Sequence, residues 1–195
     1  MVMKTILTSL LLSMTLFVHA QSYTDSLTQY RKDYVVKHEV VADSLKTGFD
    51  FFPPDPAYRI LADVEEVRDS PWFSVATSGK LRKTFRVYAI AKFTINGKKQ
   101  ELSLLQSQAL GAGYEDYLFL PFTDASNGEE TYTNGRYMDL AITDIKGKKI
   151  TLDFNKCYNP YCAYVSGKYN CPVPPQSNRL EIPLPAGEKK FGVAH

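Results

Sequence analysis

An antiparallel, mainly β fold is what three features of this sequence predict: a β-sandwich or barrel-like sheet carrying an N-terminal α-helix and a long, ordered Cys/Pro-rich loop. Apolar and polar residues alternate over several short runs. Turn-forming pairs, Asn-Gly above all, separate those runs. A helical spacing of apolar residues is confined to one stretch near the N-terminus. The 195 residues suit one globular domain over 21–195, and 13 Tyr and 11 Phe give it material for a core.

Residues 1–20 read as a secretory signal peptide. Lys4 supplies the positive start, Ile6 to Val18 form an apolar stretch broken only by Thr and Ser, and Val18-His19-Ala20 is a small-residue cleavage site. The apolar run is too short to span a bilayer comfortably. No second run approaches that length, so no transmembrane span is expected once the signal is removed. No Cys follows the run to carry a lipid anchor. The expected location is outside the cytoplasm, periplasmic or extracellular.

Residues 22–46 read as helical, with Tyr23, Leu27, Tyr30 and Tyr34 on one face and Gly48 as the stop. After an aromatic, Pro-containing connector the period becomes two. Tyr58, Ile60, Ala62 and Val64 alternate with polar positions, and Trp72 to Thr77 is a second strand. Thr84 to Ile95 is the clearest, with Phe85, Val87, Ala89, Ala91, Phe93 and Ile95 assigned to one face. Asn96-Gly97 suits a two-residue hairpin turn into Glu101–Gln106, because both turn positions need positive φ. Tyr117–Phe122 reads as a buried strand. Tyr137–Ile142 and Lys149–Phe154 are expected to pair across Lys146-Gly147-Lys148. Residues 155–178 read as the irregular loop, and Leu180, Ile182 and Leu184 as a last strand. Trp72 and the tyrosines of the helix are assigned to the core.

The formal charge of +2 and the lack of a basic run give no footprint for nucleic acid. The histidines are His19, in the signal, His195, at the end, and His38, placed among charges on the helix surface. A Ser-His-Asp triad, a Cys-His pair or a multi-histidine zinc site therefore lacks its material. Neither a P-loop nor a Gly-rich dinucleotide motif occurs, and no cofactor is expected. Cys157, Cys162 and Cys171 have no zinc spacing. In an exported chain they read as one oxidised pair with one thiol left over.

Two segments, 123–139 and 153–164, hold more polar function than turns require. Glu130, Asp139 and Asp153 are the candidate acids or bases. Asp124, Tyr132, Arg136, Asn155, Tyr158 and Asn159 are the candidate binding residues, with Arg136 able to hold an anion. The competing reading is structural: Asp and Asn tie down their own turns, and a buried Arg pairs with a carboxylate to fix a loop.

These same segments resemble a known family. Leu118-Phe119-Leu120-Pro121-Phe122, Glu130-Thr131-Tyr132, Gly135-Arg136-Tyr137-Met138-Asp139-Leu140, Tyr158-Asn159-Pro160-Tyr161-Cys162-Ala163-Tyr164, Cys171-Pro172-Val173-Pro174-Pro175 and Ala186-Gly187-Glu188-Lys189 are similar to the bacterial family called domain of unknown function 1684. The resemblance implies a single domain with no established activity. It also implies that Cys162 and Cys171 are the family's pair and that Cys157 is the extra thiol, standing where the family has a small residue.

Two functions fit these observations. The first is a non-enzymatic protein that binds an unidentified small molecule or a cell-envelope component through a shallow, aromatic-lined groove. The second is a carboxylate-dependent hydrolase or lyase, with a divalent metal on oxygen ligands as a variant. Export has a direct test. Mass spectrometry of the protein recovered from the cell envelope is expected to find Gln21, free or cyclised, as the first residue, and a protein still carrying Met1 would refute the processing.

Overall fold

The computed structural model describes residues 22–192. The proposed signal and His195 lie outside the described residues. A helix, α1 (22–37), leads into a 3-10 turn (Asp43–Gly48). Seven strands follow: β1 (Arg59–Glu66), β2 (Phe73–Ala76), β3 (Arg82–Ile95), β4 (Lys98–Ser107), β5 (Tyr117–Phe122), β6 (Arg136–Ala141) and β7 (Lys149–Asp153). They form one antiparallel sheet in the order β6-β5-β4-β3-β1-β7, with β2 beside β3, curled into a half-barrel.

The Asn96-Gly97 hairpin forms as the sequence predicts. Ile95 pairs with Lys98, and the two turn residues take φ of 49° and 72°. β3 departs from the expected single face. Its register against β4 shifts between Val87 and Ala89, which oppose the adjacent residues Leu105 and Leu104. Adjacent residues of β4 point to opposite faces, so this bulge turns the first half of β3 over relative to the second. Ala89, Ala91, Phe93 and Ile95 join Leu104, Leu118, Leu120 and Met138 in the main core. Phe85 and Val87 lie on the other face with Leu105, Phe119 and Tyr137.

β6 and β7 do not pair with each other. β6 runs along β5, and β7 pairs with β1 from Arg59↔Asp153 to Asp63↔Lys149, so the two strands stand at opposite edges. A 3-10 turn at Ile142–Asp144 redirects the chain between them. Curling of the sheet brings those edges close enough for Asp139 of β6 and Asp153 of β7 to border one small cavity.

Leu180, Ile182 and Leu184 are not a strand. They form an extended strap whose side chains are buried in the main core. It is held to the loop after β5 by Leu180 N–H to Thr123 O and Ala125 N–H to Ile182 O. The helix also stops earlier than expected. The Val41 N–H donates to His38 Nδ1 rather than continuing a helical ladder, in a stretch where Val35, Val36, Val40 and Val41 disfavour helix. Of its face only Leu27 is buried, with Tyr30 exposed and Tyr23 and Tyr34 half-buried. Trp72 is likewise not core. It is 44% exposed and lies against the Arg86 guanidinium, an arrangement that suits a large ring at a surface.

Cys162 and Cys171 are bridged and Cys157 is free, the pairing that the resemblance implies. A bridge closing so short a loop contributes about 2–3 kcal/mol. Cys157 is fully buried. Gly187 packs against it at φ +77°, where a Cβ would overlap the Cys157 Sγ and lie 2.7 Å from the carbonyl oxygens of Cys157 and Phe154.

The strap is anchored by Arg136, whose side chain has no solvent exposure. Its Nη2 pairs with Asp124 Oδ2 at 2.9 Å and donates to Leu184 O at 2.8 Å, while Nη1 donates to the carbonyls of Ala186 and Glu188. Asp124 in turn accepts the Leu184 N–H at 3.1 Å and the Ser126 N–H at 2.9 Å. Arg136→Ala is therefore expected to strand a buried carboxylate and free the strap, lowering stability by about 3–5 kcal/mol in urea unfolding. A midpoint equal to that of the wild type would show that the strap holds without the pair.

Candidate functional site

On the face opposite the main core, the sheet floors a cleft of about 1250 Å³. Phe85, Phe119 and Tyr137 form its base, with the Phe119 and Tyr137 rings 4.7 Å apart edge to face. One wall is α1 with the residue that follows it, presenting Tyr30, Tyr34 and His38. Against it packs the disulfide loop, presenting Tyr158, Tyr161 and Tyr169, with the Tyr161 ring centroid 5.7 Å from that of His38. The loop is fixed by the Cys162–Cys171 bridge and by the Tyr137 hydroxyl, which donates to the Pro172 carbonyl.

Asp139 lies in this cleft because it shares the strand face of Tyr137. Its Oδ1 accepts the phenol of Tyr117 at 2.6 Å and the phenol of Tyr158 at 2.7 Å. Burial and the Asp139 charge push both phenols well above the ordinary tyrosine range, so they remain proton donors. The carboxylate itself is exposed toward the cleft. It also borders the second cavity, about 440 Å³, beside Asp153, Arg59 and Lys156.

The remaining sequence-predicted residues divide sharply. Tyr158 joins Asp139 in the cleft. Asp153 borders only the small cavity, and its Oδ1 is engaged by the Tyr23 phenol at 2.8 Å and by Asn155. Glu130 is exposed on a turn, and the Tyr132 hydroxyl accepts from the Asn134 amide. Asp124 and Arg136 are the buried pair described above. Asn155 bridges to both backbone groups of Asp55, and Asn159 holds the Lys189 carbonyl. For these four the structural reading applies. Among the described residues no group of three His, Cys, Asp or Glu side chains is placed to hold a metal ion.

Sequence reasoning passed over two residues of this site: His38, which lines the cleft, and Glu188, which lies behind it. Glu188 is fully buried and accepts the Tyr164 phenol at 2.7 Å, the Asn159 N–H at 2.9 Å and the Tyr34 phenol at 3.3 Å. His38, expected on the surface, is 7% exposed, with its ring centroid 4.6 Å from that of Tyr164 and 5.0 Å from that of Phe49. Burial holds its imidazole below the ordinary range, so it is neutral, and its Nε2 has no partner. Both sit among charges in the sequence, Glu188 before Lys189-Lys190 and His38 between Lys37 and Glu39, and that local context points to a surface.

The family model for a protein of unknown function, DUF1684, matches residues 46–189. The chain belongs to this family. The DUF1684 match takes in the whole sheet, the disulfide loop and the strap, while α1 precedes it. A solution NMR structure of an uncharacterised protein from Haloarcula marismortui is similar over 87% of this chain and 95% of its own, at 31% identity and a TM-score of 0.66. No curated protein matches the sequence. The DUF1684 fold thus arrives with no reaction attached, and its chemistry must be read from the cleft.

The Glu188 carboxyl gives the site a pH signature. Desolvation raises it from 4.5 to about 7, against the pull of its phenol and amide donors. Between those values the unfolded chain has released this proton and the folded chain keeps it. The contribution of Glu188 is therefore fully present below pH 4.5 and is lost as pH rises through about 7, by about 3 kcal/mol in all. Glu188→Gln does not titrate. Its melting temperature relative to the wild type is expected to move in the variant's favour between about pH 5 and about pH 8. A difference that stays constant across that range would show that Glu188 is not the group titrating.

Proposed function

We propose that the protein is an exported, non-enzymatic binding protein whose tyrosine-walled cleft holds a small amphipathic molecule or a component of the cell envelope. The observation that carries this reading is the combination of a large aromatic cleft with one exposed carboxylate, Asp139, on its floor. Clefts of this kind bind by burying apolar ligand surface against rings, with a few polar groups fixing orientation. Export is supported by the signal-like residues 1–20 and by the Cys162–Cys171 bridge, which suits an oxidising compartment.

A carboxylate-dependent hydrolase or lyase is the second reading. One observation favours it: Asp139 and Asp153 border the same small cavity, with Arg59 and Lys156 beside them. It is the weaker reading because Asp153 is buried and already engaged by Tyr23 and Asn155.

Thermal-shift screening of the purified protein tests the proposal. A ligand at a hundredfold excess over its dissociation constant stabilises the native state by about 2.7 kcal/mol, several degrees for a chain of this size. Compounds that raise the melting temperature are expected to lose that effect in Tyr158→Phe and Asp139→Asn. Shifts that persist in both variants would place binding elsewhere, and turnover of a bound compound would favour the enzyme.

A further inference from the structure

We infer that the ligand class of the cleft is an organic cation, an amine or quaternary ammonium attached to an apolar body, with Asp139 as its counter-ion. This inference rests on the binding reading above and goes beyond it in naming the chemistry.

The argument is a donor and acceptor count. The phenols deepest in the cleft have already spent their protons. Those of Tyr117 and Tyr158 go to Asp139 Oδ1, that of Tyr137 goes to the Pro172 carbonyl, and that of Tyr34 lies between Tyr164 and Glu188. A phenol has one proton to give. What these residues still offer a ligand is ring surface and acceptor oxygens. Around Asp139 such a lining matches a ligand rich in donors and mismatches a carboxylate or phosphate. Donors that remain elsewhere in the cleft include the His38 Nε2–H and the Lys37 and Lys83 ammoniums, on α1 with the residue after it and on β3.

The charges agree. Asp33 and Glu39 at the rim are exposed and offset by exposed Lys37 and Lys83. Asp139 borders the small cavity with Arg59 and Lys156 but pairs with neither. It takes part in none of the ion pairs among the described residues, and no described donor reaches its Oδ2. Both phenol donors converge on the other oxygen, which leaves Oδ2 free for the ligand. Cations are drawn to aromatic faces, most strongly where water is excluded. The protein shows this affinity at the small cavity, where the Lys156 ammonium lies 5.1 Å from the centre of the Tyr30 ring, a ring that also lines the cleft.

Three probes that share a ring and differ in charge test the inference: benzyltrimethylammonium, benzyl alcohol and benzoate, each titrated into the purified protein by calorimetry. The cation is expected to bind more tightly than either of the others, and Asp139→Asn to weaken it about tenfold. Asp139 is exposed, so the free variant should melt close to the wild type. Benzoate or benzyl alcohol binding as tightly as the cation, or undiminished cation affinity in Asp139→Asn, would overturn the cation inference while leaving the cleft as a binding site. Silence from all three probes would overturn the inference and count against the binding reading as well.

Discussion

The Arg136–Asp124 pair is the contact on which the two sides of this molecule depend. A buried ion pair gains little if its remaining hydrogen-bonding capacity is wasted. Here most of that capacity goes to one segment: the guanidinium reaches the carbonyls of Leu184, Ala186 and Glu188, and the carboxylate takes the Leu184 N–H beside that of Ser126, while Arg136 Nε is left without a partner. The strap has no sheet partner of its own. The pair supplies the polar satisfaction that a ladder would otherwise give, while Leu180, Ile182 and Leu184 supply the burial. Fixing the strap places Glu188, and Glu188 collects the phenols of Tyr34 and Tyr164. In this way a charge pair in the core sets the position of α1, which is otherwise held by little apolar burial and by polar contacts such as Arg31 to the Phe52 and Asn155 carbonyls.

The bulge in β3 performs the complementary task for the sheet. A single long strand with unbroken alternation would send all its large apolar residues to one side. By flipping parity after Val87, β3 contributes Phe85 and Val87 to the cleft side and Ala89 through Ile95 to the main core. The half-barrel thus has two apolar surfaces at its β3–β4–β5 centre. Toward β1 and β7 the outer face carries charge pairs instead, such as Asp63 with Lys149 and Glu65 with Lys92.

What the sequence made legible was local. The period of two in β1, the short apolar run of β5, the Asn96-Gly97 hairpin and the irregular character of the Cys/Pro-rich loop all follow from neighbours a few residues apart. What it hid was long-range. A bulge leaves the alternation of β3 unbroken in sequence and appears only in the register against β4. The pairing of β7 with β1 rather than β6 follows from the curl of the whole sheet. His38 and Glu188 read as surface residues because their neighbours in sequence are charged, yet both are buried by elements far away in the chain. Trp72 shows the opposite error, since a large ring implies burial until a guanidinium is found to share the surface with it.

The dense polar segment around β6 shows how far composition alone can reach. Arg136, Tyr137, Met138 and Asp139 are consecutive, and nothing in their order ranks one as structural and the next as functional. Strand geometry does so. Successive side chains point to opposite faces, so Arg136 and Met138 enter the core side with Phe122 and Leu120, their partners on β5. Tyr137 and Asp139 go to the cleft with Pro121 and Phe119 opposite them. A slip of one residue would bury the unpaired Asp139 and expose Arg136, stranding a charge in the core and removing the strap's anchor at once. The register of β6 on β5 is therefore fixed by the same two charged residues that it sorts, and the cleft inherits its carboxylate from the constraint that keeps the guanidinium buried.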